Sequence, residues 1–191
     1  MGLKEKWDNI FEQATNKNIA ANEVLQQNVH LLPASGKALD YACGLGGNAL
    51  ILAQAGLETH AWDISSVALD KLQLAAAKAH INIIPRIVDL EKSQPEKNCF
   101  DVIVVGHFLY RQGFDALLNA LRKDGLLFYQ TFTQTKVRQA GPTNPDYLLE
   151  RNELIQRCSG MNILVYREED RMGNINQGWR NEAMIVAQKS S

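Results

Sequence analysis

The chain is poor in several things, and each shortage excludes something. Its three cysteines, Cys43, Cys99 and Cys158, form no CxxC pair. An odd, scattered set argues against a disulfide framework and a zinc site, so no metal is expected and the thiols read as small reduced apolar residues. No apolar run approaches the roughly 18 residues of a membrane span. The opening MGLKEKWDNIF lacks the apolar core of a signal peptide, which predicts a cytoplasmic protein with no membrane partner. A surplus of either charge is also missing: 20 Lys and Arg stand against 21 Asp and Glu. With a net charge of -1 and no appended basic segment, nothing drives the chain electrostatically toward nucleic acid. No internal repeat or low-complexity stretch interrupts it. At 191 residues, 46% apolar and 21% charged, the chain fits one domain over 1–191 with a sizeable core.

What is present is an alternation of strand and helix patterns. Trp7, Ile10, Phe11 and Ala14 fall at helical spacing, and Val24, Leu25, Val29 and Leu32 follow Asn22, a suitable N-cap. Two helices in residues 1–32 are therefore expected as a lead-in, or as a lid over a ligand. Strands are expected at Lys37 to Tyr41, Leu57 to Trp62, Ile81 to Val88, Phe100 to Gly106 and, after an Asp124-Gly125 turn, Leu126 to Phe132. Helices fit from Ala49, from Ser65 or Ser66 to about Ala79, and over Phe114 to Leu121. Such alternation predicts an α/β class with a parallel sheet and helices on both faces. Further on, a polar stretch from Thr133 to Tyr147 with two prolines is longer than a connection needs and reads as a lid or a substrate loop. A helix of about eight residues ending near Cys158 follows. Met161 to Tyr166 and Glu182 to Ala187 then read as an antiparallel hairpin at the sheet edge.

The stretch KALDYACGLGGNAL, Lys37 to Leu50, places Gly44, Gly46 and Gly47 at a strand-to-helix turn. Glycines there let a ligand approach the backbone, and the helix aims free N–H groups at it. A turn that merely needs positive φ would use glycine equally well. In this fold class ligands bind outside the carboxyl ends of the strands. Asp40, Asp63, Asp89 and His107 stand at four such ends, so they are the candidate binding residues.

The string LDYACGLGGNALILAQAGLETHAWDIS resembles the first motif and following acid of class I S-adenosylmethionine-dependent methyltransferases. The likeness is greatest to the small-molecule branch with the tellurite-resistance and thiopurine enzymes, where an asparagine, here Asn48, follows the glycine turn. IPRIVDLE, FDVIVVGHFLYR and KDGLLFYQTF continue the family's motif order, and the resemblance covers roughly Leu39 to Phe132. It implies a doubly wound, mostly parallel, seven-stranded Rossmann-like sheet with an antiparallel C-terminal edge hairpin. It also implies S-adenosylmethionine as cofactor and a small-molecule methyl acceptor as partner. Carried over by position, Asp40 organises the turn near the methionine ammonium, Gly44 and Gly46 let the cofactor approach the backbone, and Ala42 and Asn48 are further cofactor-binding positions of the same turn. Asp63, with Ile64 beside it, would accept the ribose hydroxyls. Asp89 and the Leu90 backbone would take the adenine amino group, and His107 would line the methionine end. Ala42 departs from the pattern, because it stands where the family usually has its first glycine.

A nicotinamide dinucleotide is the rival ligand, since Gly44, Gly46 and Ala49 satisfy G-x-G-x-x-A with Asp63 further on. Against that oxidoreductase reading, Asp40 puts negative charge where a pyrophosphate would sit, and there is no Tyr-x-x-x-Lys pair. A non-catalytic cofactor-binding sensor is a further alternative. Nucleic-acid methylation is disfavoured by the charge balance and by Gly106-His107-Phe108-Leu109 standing where a D/N-P-P-Y/F tetrapeptide would be. Methyl transfer needs alignment above all, and an acceptor that arrives protonated needs a base as well, for which His107 and Tyr110 are the nearest candidates. Tyr110, Arg111, Tyr147, Arg171, Trp179 and Arg180 are candidates for the substrate side, the arginines suiting an anionic acceptor.

Overall fold

The computed structural model describes residues 2–14 and 19–190, so Met1, Ser191 and part of the expected lead-in, residues 15–18, lie outside the described residues. Seven strands form one sheet in the order β3-β2-β1-β4-β5-β7-β6. They are β1 (Lys37–Tyr41), β2 (Glu58–Asp63), β3 (Ile84–Ile87), β4 (Phe100–Gly106), β5 (Leu121–Phe132), β6 (Met161–Arg167) and β7 (Glu182–Lys189). The pairs among β1 to β5 are parallel, whereas β7 runs antiparallel to both β5 and β6. The expected α/β sheet with an antiparallel edge is thus what forms. The helices are α1 (Leu3–Gln13), α2 (Glu23–Gln26), α3 (Gly47–Gln54), α4 (Ser66–Lys78), α5 (Phe114–Ala120) and α6 (Glu153–Arg157).

The period of two along β4 explains the layering. Ile103 and Val105 point into one core with Tyr41, Phe114, Leu117 and Tyr129. Val102 and Val104 point to the other face, against Val24, Leu25, Leu52 and Phe128. A strand buried on both faces needs apolar residues at every position, and VIVV supplies them.

Several boundaries differ from expectation for identifiable reasons. The second lead-in helix shrinks to one turn, α2, followed by a 3-10 turn at Val29–Leu31. The third strand loses its first residues, since Ile81 to Ile83 do not pair and the ladder begins at His60 opposite Ile84. The Asp124-Gly125 turn is present, but as a bulge inside a longer strand. Phe100 pairs with Leu121 and Val102 already with Leu126, while Asp124 takes φ 63°. The helix before β6 is five residues rather than eight. Among the described residues no helix is long and apolar enough to cross a membrane.

Candidate functional site

The chain leaves β1 toward β2 and β3 on one side, and β4 and β5 lie on the other, so the order reverses between β1 and β4. Outside the carboxyl ends of these two strands is the crevice where open α/β sheets bind ligands. Its rim is the turn Ala42 to Gly47 on one side and Gly106 with His107 on the other. Three residues of the turn, Ala42, Gly44 and Gly46, take positive φ of 59°, 51° and 76°.

Asp40 is fully buried beneath this turn. One carboxylate oxygen accepts the N–H of Ala49 at 2.9 Å, in the first turn of α3, and the other accepts the Asn48 amide at 3.2 Å. Burial pushes its carboxyl up to about 7, against the lowering pull of the Asn48 and Ala49 donors. The helix N-terminus is therefore already occupied by a carboxylate of the protein. Cys43, also buried, has its thiol pushed well above the ordinary range by desolvation.

Asp63, at the end of β2, joins the turn to the next helix. Its oxygens accept the N–H of Gly44 at 2.8 Å and of Ser65 at 2.9 Å, and Ser65 caps α4 by accepting from Ala68. Burial pushes the Asp63 carboxyl up, while the Ser65 and Gly44 N–H groups pull it down. A carboxylate offers about four lone-pair directions, and the Ile64 N–H engages this one besides Gly44 and Ser65, which leaves about one for a ligand hydroxyl.

Helix α1 covers this corner. The Phe11 ring lies so close to Gly44 that a Cβ there would come within 3.2 Å of it. Asp8 accepts the Ser65 hydroxyl at 2.6 Å, and Lys71 of α4 donates to the carbonyls of Phe11 (2.6 Å), Glu12 (3.1 Å) and Ala14 (2.7 Å) at the C-terminal end of α1. No residue of α1 is buried, and Leu3 and Ile10 stay exposed. This helix is held mainly by polar ties at its ends.

The segment after α1 enters the crevice itself. A Cβ on Gly47 would lie 2.2 Å from the Ala20 carbonyl oxygen, and one on Gly106 would lie 1.9 Å from Asn22 Oδ1. These glycines make room for the chain's own N-terminal segment. Asn22 occupies the N-cap position of α2 without capping it. Its side chain accepts from the Asn48 amide at 2.8 Å and lies 3.3 Å from His107 Nδ1. On the far side of the ring, His107 Nε2 lies 3.2 Å from Glu182 Oε2, which also accepts the Gln130 amide at 2.7 Å. The ring stacks on Phe132 at 4.7 Å, and His107 itself has φ 54°.

The remaining expected site residues divide. Asp89 and Leu90 follow β3, with Asp89 paired to Lys92 at 2.7 Å, which holds its carboxyl below the usual range. The Leu90 carbonyl lies 3.5 Å from the Tyr41 hydroxyl, and Ile64 is half-buried next to Asp63. The Tyr110 hydroxyl donates to the Glu91 carbonyl at 3.1 Å, which ties it to the Asp89 loop. Arg111 is consumed by Glu153, at 2.8 Å from Nε and Nη2, and by the carbonyls of Asp146 and Leu148. Burial pushes Glu153 up, but Arg111, the Glu150 N–H and Arg157 bring it down to about 2. Arg180 donates to the carbonyls of Glu169, Asp170, Met172, Asn174 and Gln177 and so closes the hairpin loop on itself. Arg171 holds the Lys136 carbonyl, Trp179 is buried and Tyr147 is exposed. These substrate-side candidates therefore do not converge on one cluster, and Arg111 and Arg180 brace loops. Asn22, Glu182, Asp8 and Lys71 were not legible as site residues. Asn22 reads as a cap and Glu182 as a strand start, and only the tertiary fold brings them to the rim.

Residues 38–125 match the protein family described as "Methyltransferase domain". No curated protein matches the chain. Among solved structures, TehB from Haemophilus influenzae is similar with a TM-score of 0.73 at 21% identity, over 96% of this chain and 67% of that one. A TehB-like SAM-dependent methyltransferase from Corynebacterium glutamicum aligns with a TM-score of 0.60 at 18% identity, over 97% of this chain and 95% of the other. A putative S-adenosylmethionine-dependent methyltransferase from Listeria monocytogenes aligns with 0.65 at 14%, over 88% and 98%. At these identities the likeness is one of fold.

Proposed function

We propose that the chain, whose residues 38–125 match the methyltransferase-domain family, transfers a methyl group from S-adenosylmethionine to a small-molecule acceptor. The resemblance seen in the sequence and the family match agree. The observation that carries the choice of cofactor is Asp40. Its buried carboxylate accepts the Ala49 N–H at the start of α3, the helix end that a dinucleotide pyrophosphate would need. A second negative group there would be repelled, whereas a ligand with an ammonium and a sulfonium is attracted.

The bound cofactor supplies a methyl group already activated on a sulfonium. The chain's own residues then have three tasks. Asp63 presents its remaining lone-pair direction to a ribose hydroxyl, beside a turn whose Gly44 has no side chain. His107 and Asn22 form the wall at the β4 end of the crevice. α1, pinned by Lys71 and Asp8, acts as the cover that keeps water from the aligned groups, since alignment alone contributes effective molarities of ~10⁵ M or more. A small acceptor is supported by the near-neutral charge and by Arg111 and Arg180 being spent on their own loops. Titration calorimetry with S-adenosylmethionine, S-adenosylhomocysteine and NADH tests the reading. Heat with the first two alone is expected, and binding of NADH alone would overturn it.

A further inference from the structure

His107 sits in a chain of hydrogen bonds whose direction is fixed from both ends. At one end the backbone N–H of Asn22 donates to Asn48 Oδ1 at 2.8 Å. The Asn48 amide must then give its two protons to Asp40 Oδ1 and Asn22 Oδ1. With its oxygen so occupied, Asn22 turns its own N–H toward His107 Nδ1. A neutral ring facing a donor at Nδ1 must carry its proton on Nε2, and that nitrogen faces Glu182 Oε2. From the other end, the backbone N–H of Val24 donates to Gln130 Oε1 at 2.9 Å. The Gln130 amide therefore donates to Glu182 Oε2, which makes Glu182 an acceptor. Both ends require the same tautomer.

Resting on the methyltransferase reading, we propose that Asn22 and Glu182 are positioning residues that fix His107 with its lone pair on Nδ1, and that this nitrogen takes the proton of the methyl acceptor. The acceptor class follows: a hydroxyl, thiol or amine that arrives protonated, rather than a ready-made anion. The His107 side chain is 42% exposed, so an acceptor can reach it. At 3.3 Å the Asn22 contact is the longest in the chain, hence the link an incoming donor replaces. As the acceptor's heteroatom bonds to the methyl carbon, the methyl–sulfur bond breaks and its electron pair stays on sulfur. The acceptor's proton passes to Nδ1, and the imidazolium so formed faces the Glu182 carboxylate. Tyr110 is not needed as a base, its hydroxyl being tied to Glu91.

The test is nitrogen NMR on the full chain labelled with ¹⁵N-histidine and saturated with S-adenosylhomocysteine, His107 being assigned among the four histidines by His107→Gln. The neutral ring should show a proton on Nε2. Asn22→Asp keeps the size but reverses one hydrogen bond, so it should move a proton onto Nδ1. Glu182→Met should leave both tautomers populated. A wild-type ring protonated on Nδ1, or tautomers indifferent to both variants, overturns the positioning role. With S-adenosylmethionine and phenol, thiophenol and aniline as probes, at least one should be methylated, with kcat about a hundredfold lower in His107→Gln. Methylation of none of them, or an unchanged kcat, overturns the proton transfer. Absence of S-adenosylhomocysteine binding would instead mark failure of the methyltransferase reading itself.

Discussion

The Asp63 carboxylate accepts the backbone N–H of Gly44 at 2.8 Å, so the acid that ends β2 and the glycine turn that follows β1 are one unit. Anything that disturbs the acid moves the turn. A ligand held by both would find them already in register.

Asp63→Ala should therefore do two things together. Removing a buried acceptor leaves the Gly44 and Ser65 N–H groups without their partner, at a cost of about 1–3 kcal/mol in stability. Loss of the charged bond to the ribose should weaken S-adenosylmethionine about ten- to a hundredfold. Thermal melting and calorimetry on this variant check both. Full stability with weakened binding would mean that the two backbone contacts contribute nothing.

Lys71→Ala should release α1. Three carbonyls at its C-terminal end share this one ammonium, no α1 side chain is buried, and the Asp8 bond to Ser65 is a tie that remains nearer the other end. Hydrogen exchange over Leu3–Gln13 should quicken at least tenfold, while the β4 and β5 amides stay protected. Bound S-adenosylmethionine should restore part of the protection if α1 covers it. Equal exchange in variant and wild type would show that the helix is held by other contacts.

Asp40 predicts a pH dependence. Its folded carboxyl is raised from 3.8 to about 7. A raised acid favours the folded state while protonated, so its stabilisation is complete below the unfolded value and is lost as pH rises through about 7. Three pKa units correspond to at most about 4 kcal/mol. Asp63, raised in the same direction, adds to the slope. Melting temperature without cofactor should fall between about pH 4 and pH 7, and Asp40→Asn should flatten that fall. The cationic cofactor should stabilise more at about pH 8 than at about pH 6, because it faces the ionised form.

Much of this fold was legible because apolar periodicity and turn chemistry coincide. VIVV in β4 and the Ser65 cap of α4 are local signals, and both mark the elements they predict. The third strand was overestimated because Ile81 and Ile83 are apolar but pack on α4 instead of pairing. The glycine turn and its acids were legible as a pattern at strand ends. The crevice's other wall was not, since Asn22 and Glu182 are 160 residues apart and neither has a local pattern that distinguishes it. The arginines misled for a physical reason: guanidinium forks that would suit an anion also suit the carbonyl clusters of long polar loops.

Ala42 is the departure from the family pattern, and its backbone says what the departure costs. With φ at 59° it sits in the left-handed region, where a Cβ crowds the following carbonyl. That strain is about 1–2 kcal/mol for an L-residue. Ala42→Gly removes it but adds unfolded-chain entropy of about 0.5–1 kcal/mol, and it gives up the methyl group's contact with the core around Tyr41. The balance should lie between no change and a gain of about 1 kcal/mol, unlike an ordinary alanine-to-glycine change in a helix, which destabilises. Denaturant unfolding of the variant measures it. Cofactor affinity should stay within about threefold, below the effect of one ordinary hydrogen bond, because Ala42 contributes no polar side-chain group to the turn. A loss of more than about 1 kcal/mol would mean that the methyl group packs better than the strain opposes it, and that alanine stands at this position for the core rather than in spite of the turn.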